Sequence, residues 1–299
     1  MSKLYILTVA TESTCYFPYL KESIEKNGGE LIVLGFGKKW KGFTWRFSLI
    51  LDKLKELNKN DIVCFVDGYD VICTRNLESL KNDFITIHKR ENCKIIVGHD
   101  KKIYDTFIQR IRNFQAELKF GKCNNLNLNA GTYIGYVKDI IFILSSIYEK
   151  KKYDTDDDQV LLIKYCNNNK NDIYIDIHNE LFLTISKYND ELDKYIKFKD
   201  NKIYFQNNNH AYFLHACGEG YLDNVIIRLG YNMKKKVKDE IKKKEYEKTI
   251  NEIKHFFKSN IIYILFFIFF IILFYILYKK YFIKKKIKNI IKIKNIRHK

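Results

Sequence analysis

Residues 61–73 read DIVCFVDGYDVIC, and this segment says more about the architecture than any other. An apolar run over 62–66 predicts a buried strand, and Asp67 and Asp70 follow it around a tight turn. In open α/β sheets, ligands bind at the carboxyl ends of the strands. Two carboxylates at that edge suit Mn²⁺ or Mg²⁺ carrying a diphosphate. An ordinary turn rich in Asp and Gly explains the same residues, so this motif alone leaves both interpretations open.

Predicted strands and helices alternate through residues 1–232, which are enough to bury one large core or two small ones. The predicted strands are 4–9, 31–35, 62–66, 94–97, 172–176, 203–206 and 212–215. The predicted helices are 18–27, 45–57, 139–149 and 156–166. This alternation is typical of a doubly wound, mostly parallel α/β sheet.

The positive charge of the chain is concentrated at its C-terminal end. The chain has 53 Lys and Arg residues, 35 Asp and Glu residues and a net charge of +18. Residues 233–299 contribute +15 of that charge, whereas residues 1–232 contribute only +3. Because a nucleic-acid-binding domain carries its basic surface on the domain itself, we expect no nucleic-acid partner.

The seven cysteines are an odd number, and none of them lies in a CxxC pair. Cys64 lies inside the apolar strand, where a thiol packs as a small hydrophobic group. The cysteine pattern therefore predicts no disulfide framework and favours a reducing compartment.

Residues 261–278 read IIYILFFIFFIILFYILY, which is eighteen residues without a charge. That length is enough for a helix that crosses a bilayer, and Lys clusters flank the run. A buried soluble helix is the alternative, but this run is apolar on every face. We therefore predict one C-terminal transmembrane helix over 261–278, preceded by a basic juxtamembrane helix at 233–260 and followed by a basic tail at 279–299.

Two arguments about the side of the membrane disagree. The N-terminus shows no convincing signal peptide, which favours a C-terminal anchor with the large domain left in the cytosol. Residues 279–299 hold ten Lys and Arg residues, against six in residues 241–260. By the positive-inside rule, this excess places the tail in the cytoplasm and the domain outside. The expectation is a cytosolic domain, with a lumenal domain as the alternative.

Residues 153–159 read YDTDDDQ and place three consecutive acids before an apolar helical run. Acids at a helix start complement the helix dipole, so Asp156, Asp157 and Asp158 have a capping interpretation. Three acids exceed what a cap requires. The excess suits recognition of hydroxyl groups or base catalysis on a sugar acceptor.

Two further motifs carry candidate ligand-binding groups. LNAGTYIG at 128–135 contains Asn129, which can bond a sugar hydroxyl, and Gly131, which either forms a tight turn or lets the backbone approach a ligand. YFLHACGEG at 212–220 delivers His215 to the end of an apolar strand. A lone histidine is usually structural, but a histidine at a strand end is also a suitable third ligand for carboxylate-bound Mn²⁺.

Taken in order, these motifs resemble one family, the glycosyltransferase domain of the multifunctional procollagen lysyl hydroxylases and its stand-alone relatives. The matching segments are LTVATE (7–12), LGFGKKWKG (34–42), FVDGYDVI (65–72), LNAGTYIG (128–135), DDDQ (156–159) and HACGEG (215–220). Each motif is short, but the ordered set is specific and covers nearly all of residues 3–232. The resemblance implies a GT-A fold, a UDP-sugar donor and Mn²⁺.

The resemblance also implies roles for individual residues. The implied metal ligands are Asp67, Asp70 and His215. The residues implied to bind the UDP-sugar are Thr8 and Thr11, which would contact uridine, Tyr69, which would stack on uracil, and Asn129, Gly131 and Gly218. Asp157 and Asp158 are implied to be the acidic pair on the acceptor side. The family's diphosphate-binding lysine, which follows the glycine-rich histidine motif, has no counterpart in HACGEGYLDN, and Arg46 is the candidate source of that positive charge.

Two functions of different classes follow. The first is a membrane-anchored, Mn²⁺-dependent glycosyltransferase that moves a hexose from UDP-glucose or UDP-galactose to a hydroxyl acceptor, such as a (galactosyl)hydroxylysine of a collagen-like protein. The second is a non-catalytic, membrane-tethered protein that keeps the fold and binds sugar nucleotides or glycans, which the missing lysine favours. Hydrolysis of UDP-sugars with Mn²⁺, compared with hydrolysis in EDTA, distinguishes the two.

Overall fold

The computed structural model describes residues 2–102, 107–185, 196–199, 202–205, 209–218, 220–233 and 269–282, together with scattered positions between 237 and 250. The chain divides into two compact units, Met1–Ile241 and Lys242–Lys299. The first unit contains the predicted α/β domain, and the second contains the apolar segment near the C-terminus.

Strands and helices largely alternate up to residue 176 of the first unit, and each strand or helix predicted within residues 1–232 overlaps a described one. The described strands are β1 (Leu4–Val9), β2 (Leu31–Leu34), β3 (Ile62–Val66), β4 (Val71–Cys73), β5 (Ile95–Lys101), β6 (Leu128–Tyr136), β7 (Ile173–Asp176), β8 (Phe182–Ile185), β9 (Ile196–Lys199), β10 (Lys202–Phe205) and β11 (Phe213–His215). The described helices are α1 (Phe17–Lys26), α2 (Trp45–Leu54), α3 (Leu80–Glu91), α4 (Phe107–Phe120), α5 (Val137–Tyr148), α6 (Asp158–Asn168) and α7 (Asp223–Arg228).

The main sheet has the strand order β2-β1-β3-β6-β5-β8-β11-β4, and β7 adds to β5. The pairs β1–β2, β1–β3, β5–β7, β5–β8 and β8–β11 are parallel. The pairs β3–β6, β5–β6 and β4–β11 are antiparallel. The described sheet is therefore mixed and mostly parallel, as expected, with β6 running against both of its neighbours. β9 and β10 form a separate antiparallel pair.

β3 shows how helices cover both faces of the sheet. All five of its residues are buried, and successive side chains of a strand point to opposite faces. Val63 and Phe65 pack in one apolar cluster with α2 and α5, whereas Cys64 and Val66 pack in another with α1 and α3. A strand covered on both faces is apolar throughout, which explains why residues 62–66 carry no charged side chain before Asp67.

Residues 128–135 form most of β6, so the tight-turn interpretation of this motif is wrong. β6 lies between β3 and β5, and its residues are buried almost throughout. β6 continues alongside the chain beyond the end of β3, where the amide of Asp67 donates a hydrogen bond to the carbonyl oxygen of Gly131 over 2.8 Å. β6 therefore brings Asn129 and Gly131 beside the DGYD turn.

Cys123 and Cys166 form a disulfide bond that joins the segment before β6 to α6. The prediction of no disulfide framework is wrong for this pair, whereas the compartment stays a prediction. The two cysteines are 43 positions apart in sequence, and the fold brings their Cα atoms to 5.8 Å. Cysteine spacing along the chain carries no information about such a long-range contact. Cys64, Cys73 and Cys93 are buried thiols.

In the second unit the structure describes a helix over 269–282 with exposed residues. Within the described parts of the chain, no helix is both long enough and apolar enough to span a bilayer. The first eight residues of the predicted span at 261–278 lie outside the described residues, as do 251–260 and 283–299. The transmembrane helix and its basic flanks therefore stay predictions.

Candidate functional site

The candidate site lies at the carboxyl edge of the sheet, where three segments converge. Asp67 directly follows β3, Asp70 directly precedes β4, and His215 is the last residue of β11. The antiparallel pairing of β4 with β11 places His215 opposite Val71. The amide of Ala216 also donates to the carbonyl oxygen of Asp70 over 2.9 Å. Strand pairing thereby brings a histidine near the end of the domain to the carboxylates of the DGYD turn.

The side chains of Asp67, Asp70 and His215 form a compact group of potential metal ligands. One ligand atom from each of the three residues lies within 4.8 Å of the others. The Nε2 atom of His215 lies 3.2 Å from Oδ1 of Asp70 and 3.7 Å from Oδ2 of Asp67. Two carboxylates and an imidazole suit Mn²⁺ or a similar divalent cation. The three predicted metal ligands therefore lie together.

The electrostatics of this group also fit a cation. Burial raises the pKa of Asp67, against the opposing effect of Arg46. Burial alone would lower the pKa of His215, but the carboxylate of Asp70 raises the pKa above its ordinary value. The buried Nδ1 atom of His215 has no hydrogen-bond partner among the described residues. A divalent cation between Nε2 and the carboxylates would favour two anionic oxygens and a neutral imidazole, which is the state that these residues need as ligands.

Gly131 makes room for the ligand group. A Cβ atom at this position would lie 2.4 Å from Cε1 of His215 and 2.5 Å from Oδ2 of Asp67. Both distances are shorter than real Cβ contacts, so only glycine fits without moving the ligands. The groups that approach this glycine are side chains of the protein, and its predicted close approach to a bound sugar stays a prediction.

We expect Gly131→Ala to weaken Mn²⁺ binding by about ten- to hundredfold, because the added methyl group displaces His215 and Asp67. Isothermal titration with MnCl₂ measures the effect. Gly135→Ala is the matched control on the same strand, since its Cβ would meet Cγ2 of Ile95 at 2.7 Å in the core. The control loses stability but keeps its Mn²⁺ affinity. Equal Mn²⁺ affinity in Gly131→Ala and the unmodified protein contradicts this account of Gly131.

Arg46 connects the metal-type ligands to the acidic motif. It lies in the first turn of α2, and its side chain is buried. Its guanidinium forms ion pairs with Asp67 and Asp158, and its Nη2 atom lies 3.5 Å from the carbonyl oxygen of Ala130. The planar guanidinium is suited to holding two carboxylates at once. The guanidinium of Arg46, which the sequence analysis suggested as a diphosphate-binding group, is therefore already bound to acceptors of the protein.

Asp158 lies inside the site rather than on the surface of α6. Its side chain is 5 % exposed. Burial raises the pKa of Asp158 to about 6, although the charge of Arg46 opposes the shift. A partly protonated carboxyl group next to a metal-type cluster is a common feature of functional sites.

The pattern of the family described as the PLOD GT domain matches residues 1–240. The chain belongs to this family. PLOD GT domains are glycosyltransferase domains, so the family agrees with the resemblance that the ordered motifs carry.

Similar curated proteins are much longer than this chain. The procollagen-lysine,2-oxoglutarate 5-dioxygenase of Drosophila melanogaster is 26% identical over 219 residues, which cover 69% of this chain and 29% of the relative. The multifunctional procollagen lysine hydroxylase and glycosyltransferase of Caenorhabditis elegans is 27% identical over 171 residues, which cover 54% and 22%. This PLOD GT chain therefore spans less than a third of these relatives. A solved glycosyltransferase involved in the glycosylation of the major capsid of PBCV-1 aligns with a TM-score of 0.44 at 14% identity, covering 73% of this chain and 96% of that one.

The other two acids of the motif support the backbone of this PLOD GT domain. Asp157 is the N-cap of α6, since its Oδ1 atom accepts hydrogen bonds from the amides of Gln159 (3.1 Å) and Val160 (3.3 Å). Asp156 accepts a hydrogen bond from the amide of Lys152 over 2.7 Å. The capping interpretation is confirmed for Asp157. The predicted acceptor-side role of the pair with Asp158 stays a prediction.

We expect Asp157→Ala to lower the free energy of unfolding by about 1 kcal/mol, because the amides of α6 lose their cap. Asp157→Ser keeps a capping oxygen and should keep the stability, as urea unfolding will show. Sugar transfer by the serine variant then reports on the acceptor role alone. If Asp157→Ala is as stable as the unmodified protein, the cap does not contribute to the free energy of unfolding.

Tyr69 ties the DGYD turn of the PLOD GT domain to the end of β1. Its hydroxyl oxygen accepts a hydrogen bond from the amide of Thr11 over 2.8 Å and lies 3.3 Å from Oγ1 of the same residue. Thr8 is completely buried, and a Cβ at Gly68 would lie 3.2 Å from its Oγ1 atom. The buried side chain of Thr8 thus packs against the DGYD turn. Contacts of Thr8, Thr11 and Tyr69 with uridine stay predictions. The burial of Thr8 favours an indirect role for that residue.

Asn129 lies in β6, and Gly218 lies three residues after His215. The Oδ1 atom of Asn129 accepts a hydrogen bond from the amide of Gly131 over 2.9 Å, and its Nδ2 atom lies 3.4 Å from Oε1 of Gln159. Gly218 is exposed in the loop after β11, with φ of +77°. Both positions agree with the predicted sugar-binding role, which no contact yet tests.

The sequence interpretation missed Asp100 and Lys102, which form a buried ion pair at the end of β5. The predicted strand stopped at residue 97, but β5 continues to Lys101. It therefore carries Asp100 to the same carboxyl edge. The available signal was IIVGHDKK, an apolar strand that ends in an acid, which is the pattern that marked Asp67.

Proposed function

We propose that this chain is a GT-A-type glycosyltransferase that uses Mn²⁺ and transfers glucose or galactose from a UDP-sugar to a hydroxyl acceptor. The observation that carries the proposal is the group of Asp67, Asp70 and His215 at the carboxyl edge of a mostly parallel sheet. Ligand binding at that edge is the rule in open α/β sheets. Membership of the PLOD GT domain family supports the same reaction class.

The chain's own residues divide the work of the reaction. Asp67, Asp70 and His215 would hold the cation, which neutralises the charge of the UDP leaving group when bound. Tyr69 presents its ring from the turn that carries both carboxylates, where a uracil base can stack on it. Asp158 would orient the acceptor hydroxyl from the other side of Arg46.

The acceptor is proposed from the relatives. The name of the Caenorhabditis elegans relative joins lysine hydroxylation of procollagen with glycosyl transfer. We propose a hydroxylysine of a collagen-like protein, including one that already carries galactose, as the acceptor. The many exposed hydroxyl groups of glycans provide the alternative acceptor class.

A donor screen that measures released UDP tests the reaction. We expect Mn²⁺-dependent UDP release from UDP-glucose or UDP-galactose, and none in EDTA. Binding of the nucleotide without release, with every acceptor, would favour the second candidate, a non-catalytic membrane-tethered binding protein. The observation that favours this non-catalytic candidate is that Arg46 is paired with the carboxylates of Asp67 and Asp158.

We propose that residues 261–278 anchor the enzyme in a membrane. Truncation after residue 258 is expected to give a soluble protein with unchanged donor activity, because all proposed site residues precede residue 232. The full-length chain is expected to need detergent and to resist carbonate extraction. Release of the full-length chain by carbonate contradicts the anchor.

We propose that the domain faces the lumen rather than the cytosol. The bond between Cys123 and Cys166 favours an oxidising compartment. The excess of Lys and Arg in 279–299 favours a cytoplasmic tail, and both observations oppose the cytosolic expectation. Protease added to sealed microsomes should spare the domain until detergent is added. Digestion of the domain in intact microsomes contradicts the lumenal assignment.

A further inference from the structure

The end of β5 places a second charged pair at the same edge of the sheet as the metal-type ligands. Asp100 of β5 pairs in register with Thr184 of β8, and Thr184 pairs with His215 of β11. Residues opposite one another on neighbouring strands point to the same face of a sheet. Asp100 therefore lies on the face that carries His215, and Lys102 follows it two positions later.

Lys102 is unusually buried for a lysine. Its side chain is 8 % exposed and forms an ion pair with Asp100, whose side chain is 7 % exposed. The Sγ atom of Cys217 lies 3.6 Å from Oδ1 of Asp100. Since Cys217 is two residues beyond His215, the ammonium group of Lys102 lies beside the loop that leaves the metal-type cluster. Lysines are almost never this buried unless they are paired, and Asp100 is the partner that makes this burial possible.

Donor capacity distinguishes Lys102 from Arg46. Asp67, Asp158 and the carbonyl oxygen of Ala130 accept hydrogen bonds from Nε, Nη1 and Nη2 of Arg46, so each nitrogen of its guanidinium already has a protein partner. An ammonium group has three N–H donors. In the described part of the chain, Asp100 is the recorded partner of Lys102. Among the described residues, none besides Asp100 accepts from Lys102, so two of its donors can serve a ligand at the sheet edge, whereas all three nitrogens of Arg46 already bind protein acceptors.

We propose that Lys102 donates hydrogen bonds to the diphosphate of the sugar nucleotide and that Asp100 is a positioning residue that holds the ammonium group in place. This inference rests on the proposed function. It assigns the diphosphate-binding cation to the end of β5, on the opposite side of β6 from Arg46.

Lys102→Met tests the assignment. We expect its affinity for UDP in the presence of Mn²⁺ to fall by between about tenfold and hundredfold, the usual range for a lost hydrogen bond to a charged group. Affinity for uridine, which lacks phosphate, should not change. Lys94→Met is the matched control, because Lys94 pairs with Asp172 next to the other end of β5. The control should bind UDP and uridine as the unmodified protein does.

A purely structural role for Lys102 makes a different prediction. If Lys102 only neutralises buried Asp100, the charge-free double variant Asp100→Asn, Lys102→Met should recover UDP affinity. If Lys102 contacts the diphosphate, the double variant should bind UDP as weakly as Lys102→Met while folding normally. Recovery in the double variant, or unchanged UDP affinity in Lys102→Met, overturns the assignment. Failure of the unmodified protein to bind UDP with Mn²⁺ instead overturns the proposed function.

Discussion

Asp67→Ala or Asp70→Ala is expected to abolish Mn²⁺-dependent release of UDP while leaving the domain folded. Each change removes one of the two anionic ligands, and His215 with a single carboxylate holds a hard divalent cation poorly. The fold tolerates the change because burial already raises the pKa of Asp67, which means that its charge is costly in this position. Arg46 keeps its ion pair with Asp158 in either variant.

The matched control for these variants is Asp172→Ala. The side chain of Asp172 is 15 % exposed, close to the 14 % of Asp70, and it pairs with Lys94 away from the cluster. The control should release UDP at the normal rate, whatever stability it loses. Full activity in both Asp67→Ala and Asp70→Ala would falsify the metal assignment. Circular dichroism of each variant confirms that a loss of activity is not a loss of folding.

Arg46→Met is expected to lower the free energy of unfolding by about 3–5 kcal/mol, because it leaves the carboxylates of Asp67 and Asp158 without their counter-ion in a buried site. Urea unfolding measures the change. The size of the effect follows mainly from the burial of Arg46 and Asp158, whose side chains are 8 % and 5 % exposed, whereas that of Asp67 is 26 % exposed.

Arg90→Met is the control for the arginine prediction. Arg90 pairs with Glu91 and Glu180, but its side chain is 46 % exposed. Exposed ion pairs contribute at most about 1 kcal/mol, so this variant should be nearly as stable as the unmodified protein. Equal losses in the two variants would show that the buried bridge contributes no more than a surface pair.

The sequence predicted the elements that depend on local patterns. β3 begins and ends at the predicted residues because it is apolar throughout, and apolar runs that end in turn residues are a strong strand signal. The polar groups that follow such runs, at Asp67 and His215, were identified for the same reason. The pairing of these two residues was implied by the family resemblance, since no local pattern links positions so far apart.

The sequence could not predict what depends on long-range contacts. Gly131 left a tight turn and a close approach both open, because its need for glycine arises from side chains such as His215 and Asp67 that the fold brings near it. The Cys123–Cys166 bond depends on the packing of α6 beside the segment before β6. Lys102 was one lysine in a chain rich in lysine, and neither its burial nor its pairing with Asp100 is visible in the sequence.

The most direct test of the account is a crystal structure of residues 1–258 soaked with MnCl₂ and UDP, with data collected for anomalous scattering from manganese. The account predicts one strong anomalous peak bound by Asp67, Asp70 and His215, with the diphosphate oxygens of UDP on the same ion. A peak at another position, or UDP bound away from these three residues, would contradict it.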